Sequence, residues 1–197
     1  MENTRKAEAV LIAKSGSKVS GRVAFSERDG VVTMKAMVRG ASPGDHAIHI
    51  HVEGDCSAED GSSAGGHWNP TGEDHGQWNS DSFHRGDIGN IEVGKDGEGR
   101  ISRTTELWCI GCEDPKKDIL GKAIIIHAGI DDFSTQPSGA AGARIACGVI
   151  EGKGFLGLNL LFAIESDHLD ESDDKNYFQS QAKDDQVDRI QNERFSS

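Results

Sequence analysis

The sequence predicts an all-β protein: an eight-stranded antiparallel Greek-key β-sandwich or barrel interrupted by one long loop. Three observations favour this class. Short segments rich in β-branched residues alternate with turn residues along the chain. Glycine accounts for 25 of the 197 residues, about twice the usual share of roughly 7%, and no convincing amphipathic helix separates the segments. A chain that bends so often favours a sandwich or barrel over a helical bundle.

Four predicted strands precede residue 52. They read AEAVLIA, KVSGRVAF, GVVTMKAMV and DHAIHIH. The turn SERDGV, between the second and third, contains an Asp-Gly pair that is typical of a two-residue hairpin. Residues 52–86 show no periodic pattern of apolar residues and are rich in Gly, Ser, Asp, Asn and Pro. An irregular loop of this length inside a compact domain is usually functional or disordered.

Four further strands follow the loop and complete the predicted domain, which covers residues 1–152. They read DIGNIEV, ISRTTELW, KAIIIH and ARIACGVI, and the Gly-rich turn GKDGEGR separates the first two. Residues 153–197 are predicted to form a C-terminal extension that opens with the apolar segment FLGLNLLFAI. From residue 165 onward ten acidic residues outnumber four basic ones, a composition typical of a disordered tail.

Charge and hydropathy exclude several classes of partner. The net charge of −12 argues against nucleic-acid binding, which needs a basic face. The longest apolar run has ten residues, against the roughly 20 that a spanning helix needs, so no membrane span is expected. The N-terminus MENTRKAEAV lacks the apolar core of a signal peptide. The location therefore stays open between the cytoplasm and, where a signal has been removed, an exported or periplasmic site. A homodimer is possible.

Histidines are concentrated in one part of the chain, where seven of the eight lie between positions 46 and 127. His49 and His51 project from the same face of a strand, because side chains two residues apart do so. Three more, His67, His75 and His84, lie in the long loop, and Asp87 follows shortly after. Three imidazoles and a carboxylate suit zinc, and bound metal would order so polar a loop. We therefore interpret it as a long metal-binding loop, with a solvated His-rich loop as the alternative.

Five stretches together resemble the copper/zinc superoxide dismutase family: HAIHIH, SAGGHWNP, HRGDIGN, IIIHAGIDDF and GAAGARIACGVI. They follow in family order over about residues 7–151, and the likeness is closest to the bacterial branch. The resemblance implies that family's β-sandwich, which is a known example of this architecture. It also implies an enzyme that disproportionates superoxide to O2 and hydrogen peroxide, by cycling copper between Cu(II) and Cu(I) at a histidine-bridged site.

Carried over residue by residue, the resemblance implies a copper ion and a zinc ion as cofactors. The implied copper ligands are His49, His51, His67 and His127. The implied zinc ligands are His67, His75, His84 and Asp87, so that His67 bridges the two ions. Arg144 and His67 are the implied catalytic groups, and the Arg144 guanidinium would bind superoxide. Asp131 matches an aspartate that joins a copper ligand to a zinc ligand, and His46 matches a structural histidine.

Four cysteines allow three disulfide pairings. The resemblance implies a disulfide between Cys56 and Cys147. Cys109 and Cys112 lie in the stretch WCIGCED, an insertion that does not map onto the best-known members of the family. By elimination a local disulfide between these two is expected, and a CxxC redox or metal site is the alternative.

Two other functions compete with superoxide dismutation. A non-catalytic copper-handling or structural member of the same fold usually lacks a ligand or the arginine, and here all of them are present. A zinc hydrolase needs an open position on the metal, whereas three histidines and an aspartate close the site. The 16 residues between His127 and Arg144 include Asp131 and Asp132 but no Lys or Arg. Long-range attraction of superoxide is therefore expected to be weak.

Overall fold

The computed structural model describes residues 4–153, which form a closed antiparallel barrel of eight strands with a short ninth strand paired to β1. The strands are β1 Arg5–Ala13, β2 Ser20–Arg28, β3 Val31–Arg39, β4 Gly44–His51, β5 Asp87–Val93, β6 Glu98–Thr105, β7 Ala123–His127, β8 Arg144–Val149 and β9 Glu151–Lys153. One short 3-10 helix, Ser62–Ala64, lies in the long loop. No helix within residues 4–153 has the length and apolar character needed to cross a membrane. The predicted extension after Lys153 lies outside the described residues.

The strand order is β2-β3-β6-β5-β4-β7-β8-β1-β9, and an additional β1–β2 pairing closes the sheet on itself. The neighbours β3–β6, β4–β7 and β8–β1 are not consecutive in the chain, as Greek-key connections require. The predicted eight-stranded antiparallel Greek-key barrel is confirmed. β9 is an addition of three residues, and it pairs with Lys6–Glu8 of β1.

The turn between β2 and β3 shows how local sequence sets the register. Arg28 pairs with Val31 across Asp29 and Gly30, whose φ angles are 52° and 78°. A two-residue hairpin of this type needs positive φ at both positions, and Asp-Gly tolerates it best. The Asp-Gly prediction is therefore correct.

Buried apolar residues alternate with more exposed ones along the strands, and the buried ones form the core inside the barrel. In β3, Val32, Met34, Ala36 and Val38 are buried, while Lys35 is exposed. Burying each larger apolar side chain contributes about 1.5–3 kcal/mol, less the entropy of ordering it. This core holds the strand ends, and the loops that follow them, in fixed positions.

The connection between β6 and β7 differs from the prediction at one point. β6 ends at Thr105, so the predicted strand ISRTTELW stops before Trp108. Trp108 is nevertheless buried in the core, since the connection folds back over the barrel. The Asp118 carboxylate organises it by accepting three backbone hydrogen bonds, from Gly111, Glu113 and Leu120. The disulfide between Cys109 and Cys112 closes the same segment.

The long loop folds back along β4 instead of projecting into solvent. The Trp68 N–H donates to the Ile50 carbonyl at 2.8 Å, and the Ile50 N–H donates to the Gly86 carbonyl at 2.9 Å. His51 and His67 also form an antiparallel bridge. The middle of the loop and its C-terminal end are therefore held against the strand that carries His49 and His51.

Candidate metal centre

Four histidines meet at one end of the barrel. Their ligand nitrogens lie within 4.8 Å of one another, and the residues are His49, His51, His67 and His127. β4 supplies the first two, the long loop the third and the end of β7 the last. The register shifts beside His49 in β4 and beside His127 in β7. Such irregularities bend a strand and redirect its side chains, which places these rings together.

Hydrogen bonds fix which nitrogen of each ring is free. Through one nitrogen, His51 donates to the Gly65 carbonyl at 2.9 Å and His127 donates to the Gly142 carbonyl at 3.1 Å. The other nitrogen is buried without a hydrogen-bond partner among the described residues: Nδ1 of His49 and Nε2 of His51, His67 and His127. A neutral imidazole that donates through one nitrogen keeps a lone pair on the other. Buried lone pairs left without a partner are rare, and imidazole suits copper, so these four residues, the copper group, fit that metal.

A second group adjoins the first and shares His67 with it. Its members are His67, His75, His84 and Asp87. His75 Nδ1 and His84 Nδ1 lie 3.0 and 3.3 Å from the Asp87 carboxylate, yet neither has a hydrogen-bond partner of suitable direction within residues 4–153. In a tetrahedral zinc site with bonds of about 2.0 Å, neighbouring ligand atoms are about 3.3 Å apart. The separations within this second set, the zinc group, therefore fit ligands of one zinc ion better than direct hydrogen bonds.

Asp131 joins the two groups. Its Oδ2 accepts a hydrogen bond from His49 Nε2 at 2.8 Å, and its Oδ1 accepts one from His75 Nε2 at 2.9 Å. The carboxylate is buried, and the backbone N–H of Asp131 donates to Asn90 Oδ1 at 2.7 Å. Asp131 thus holds both rings with Nδ1 facing their respective groups, and carboxylates commonly orient metal-binding histidines through the other ring nitrogen in this way.

Burial keeps the rings of His51, His67 and His127 neutral. Desolvation lowers the pKa of His51 to about 2 and that of His127 to about 3. The pKa of His67 is lowered to about 4, again mainly by burial, although its hydrogen bond to Asp87 opposes the shift. Metal ligation needs the deprotonated ring, so these imidazoles are ready to bind at neutral pH.

The carboxylates make the zinc group attractive to a cation. Burial raises the pKa of Asp87, but the hydrogen bond from His67 and the nearby rings of His75 and His84 outweigh it and hold that pKa well below its usual range. Burial lowers the pKa of His75, but its hydrogen bond to Asp131 and the nearby Asp87 carboxylate outweigh it and raise that pKa to about 9. A positive charge at His75 is therefore favoured, and a metal cation would take the place of that proton.

Arg144 lies beside the copper group at the start of β8. Its Nη1 donates to the Gly61 carbonyl and its Nη2 to the Gly65 carbonyl, both at 2.7 Å. Because His51 Nδ1 also donates to Gly65, one carbonyl oxygen positions both the guanidinium and a copper-group ring. The disulfide between Cys56 and Cys147 ties the segment that carries these carbonyls to β8.

His46 lies outside both groups, as expected for a structural histidine. Its Nδ1 donates to the His127 carbonyl at 2.8 Å, while its Nε2 lies close to Ser42. Two residues that the sequence analysis did not single out also contact the site. Asn90 lies in the family-like stretch HRGDIGN, which already pointed to this part of the site. No signal in the sequence pointed to Gln136, whose side chain contacts the His75 backbone.

The structure is that of a β-barrel protein with two adjoining groups of potential metal ligands that share one histidine. Residues 19–150 match the family described as copper/zinc superoxide dismutase. Since this match covers more than half of the chain, the protein belongs to the copper/zinc superoxide dismutase family. The cofactors are copper and zinc, and the two ligand groups are typical of sites for these metals. The family resemblance is confirmed, and its bacterial branch stays a prediction.

Proposed function

We propose that the protein is a superoxide dismutase, which converts two superoxide anions and two protons to O2 and hydrogen peroxide. One observation supports this most directly: the ligand groups and the arginine border a single open cavity. Its lining includes His51, His67, Asn69, His127, Ser138 and Arg144. Copper, when bound, supplies the one-electron oxidation and reduction, while zinc keeps one oxidation state.

The ligands are assigned from the two groups. We assign His49, His51, His67 and His127 to copper, and His67, His75, His84 and Asp87 to zinc. The free Nε2 of His67 faces the first group, and its Nδ1 lies 2.8 Å from Asp87 in the second. This ring can therefore hold a proton at Nε2, next to the cavity in which hydrogen peroxide forms.

Arg144 is assigned to superoxide binding. Two of its N–H donors are used on the Gly61 and Gly65 carbonyls, and a guanidinium has five. The remaining donors are available to an anion in the cavity. A charge-assisted hydrogen bond of this kind is about twice as strong as a neutral one, and the carbonyls hold the group in place before the substrate arrives.

The proposal is tested by measuring superoxide dismutation and metal content on the same preparations. We expect one copper and one zinc per chain, from the two ligand groups, and an activity that requires copper. A non-catalytic copper-handling protein, the competing function, would bind both metals without accelerating the reaction. Full metal content with no activity would therefore overturn the proposal.

Two variants test the division of ligands. His51→Ala should lose copper and activity while zinc stays bound, because His51 belongs to the first group alone. His84→Ala should lose zinc first, because His84 belongs to the second group alone. Parallel loss of both metals in both variants would contradict two separate ligand sets.

A further inference from the structure

The Gln136 side chain forms a reciprocal pair of hydrogen bonds with the backbone of His75, 61 positions away. Gln136 Oε1 accepts the His75 N–H at 2.8 Å, and Gln136 Nε2 donates to the His75 carbonyl at 2.9 Å. One side chain thus satisfies both polar backbone groups of a zinc-group residue. Asn and Gln suit this role because their amides carry a donor and an acceptor side by side.

The pair adds to a contact that the same segment makes with the His75 ring. Asp131 accepts the hydrogen bond from His75 Nε2 at 2.9 Å, and Gln136 holds the His75 main chain. Ring and backbone of His75 are therefore held from one side, by residues five positions apart. Without the contact to Gln136, the backbone of His75 itself would lose both of its hydrogen bonds. The ring bond to Asp131 and the bond from the Gly76 N–H to Asp87 would remain.

Gln136 also connects the zinc group with the cavity. The two residues that follow it, Pro137 and Ser138, line the cavity together with Arg144. Because the amide is fixed on the His75 backbone, the start of this part of the cavity wall is fixed as well. The position of the wall thus depends on the loop that carries His75.

We propose that Gln136 is a positioning residue, which sets the His75 main chain relative to Asp131 and, with it, the zinc group and the adjacent cavity wall. This inference rests on the zinc ligand set proposed above. Gln136 is exposed overall, while its bonds to His75 are half-buried. Because water competes for such bonds, we expect a small effect on global stability and a larger one on zinc retention.

The test compares three variants of the full-length protein loaded with both metals. Gln136→Met keeps the length of the side chain and removes both hydrogen bonds. Gln136→Glu keeps the acceptor for the His75 N–H and places a carboxylate oxygen against the His75 carbonyl. Gln77→Met makes the same change as the first variant at an exposed position in the loop that carries His75, and is the matched control.

Zinc affinity is measured by competition with a chelator, and the geometry of the site by the absorption spectrum after Co²⁺ replaces zinc. Losing an outer contact of a metal site costs about 10–100-fold in affinity. We expect about tenfold weaker zinc binding and an altered cobalt spectrum in Gln136→Met, a similar loss in Gln136→Glu, and wild-type values in Gln77→Met.

Wild-type zinc affinity and an unchanged cobalt spectrum in Gln136→Met would overturn the inference. A lower melting temperature with unchanged zinc affinity would also overturn it, since that result describes a residue that only stabilises the fold. Failure of the wild-type protein to bind zinc would overturn the ligand assignment itself. The two failures are thus distinguishable.

Discussion

Gly139 packs so closely on the Asp131 carboxylate that no side chain fits between them. A Cβ at position 139 would overlap Asp131 Oδ1 and lie 2.7 Å from His75 Nε2. Gly139 also has a φ of +65°, a conformation that L residues rarely adopt. The glycine therefore leaves the space in which Asp131 and His75 meet.

Gly139→Ala should separate Asp131 from His75 and weaken zinc binding about 10–100-fold. Overpacking and backbone strain together should also lower the free energy of unfolding by about 2 kcal/mol or more. Chelator competition and urea unfolding measure the two effects. Gly16→Ala is the control, because Gly16 has a φ of +71° and no atom within 4 Å of the added Cβ. In Gly16→Ala, backbone strain alone should lower the free energy of unfolding, by about 1–2 kcal/mol. Equal loss of zinc affinity in both variants would contradict the steric explanation.

Arg144→Ile should lower kcat/KM about tenfold to a hundredfold while copper and zinc stay bound. The change removes a charge-assisted hydrogen bond to superoxide, worth roughly 1.5–3 kcal/mol. Arg144→Lys keeps the charge but not the planar group that spans the Gly61 and Gly65 carbonyls, so its activity should be intermediate. Superoxide kinetics with metal analysis decide this, and full activity in Arg144→Ile would remove Arg144 from the mechanism.

The two disulfides should differ in what they stabilise. Cys56 and Cys147 are 91 positions apart, against three for Cys109 and Cys112. Loop-closure entropy then gives about 4–5 kcal/mol for the first and about 1–2 kcal/mol for the second. Replacing each pair by serine and measuring urea unfolding tests the difference. Only loss of the Cys56–Cys147 bond should also lower activity, because this bond holds the segment whose carbonyls position Arg144. Equal activity losses in both variants would argue against that role.

The strands were predictable from sequence because alternation and turn chemistry are local signals. The Asp29-Gly30 pair alone was enough to place one hairpin. β9 was missed because its three residues are all exposed and show no alternation. The end of β6 was placed too late because Trp108 looks like a strand residue, although it is buried in the connection that follows.

The residue types in the long loop already indicated a metal site, but the division of the ligands between copper and zinc came only from the family resemblance and stays a proposal, since the spacing of histidines does not show which ring nitrogens are free. The amide contacts were not predictable by either route. Asn90 binds the backbone of Asp131 from 41 positions away, and Gln136 binds that of His75. In a sequence, a side-chain amide that holds a distant backbone looks the same as one that faces solvent.

The last prediction concerns how superoxide reaches the cavity. The segment between His127 and Arg144 has no Lys or Arg. Its exposed Asp132 is ionised at neutral pH, because hydrogen bonds from Thr135 and Ser134 lower its pKa to about 2. With a net charge of −12, the protein should repel superoxide at long range, while Arg144 attracts it close to the cavity.

Salt screens charges farther apart than about 10 Å at 0.1 M ionic strength, so an enzyme that attracts its substrate over long distances slows as salt rises. We expect kcat/KM of this protein to fall only weakly, or to rise slightly, between about 10 and 200 mM salt. Asp132→Asn keeps the Oδ1 acceptor for Ser134 and Thr135 and removes one negative charge. It should therefore be faster than wild type at low salt, with the difference vanishing at high salt. A steep fall of the wild-type rate with salt would mean that basic residues elsewhere on the barrel attract the anion, and the weak-steering prediction would be wrong.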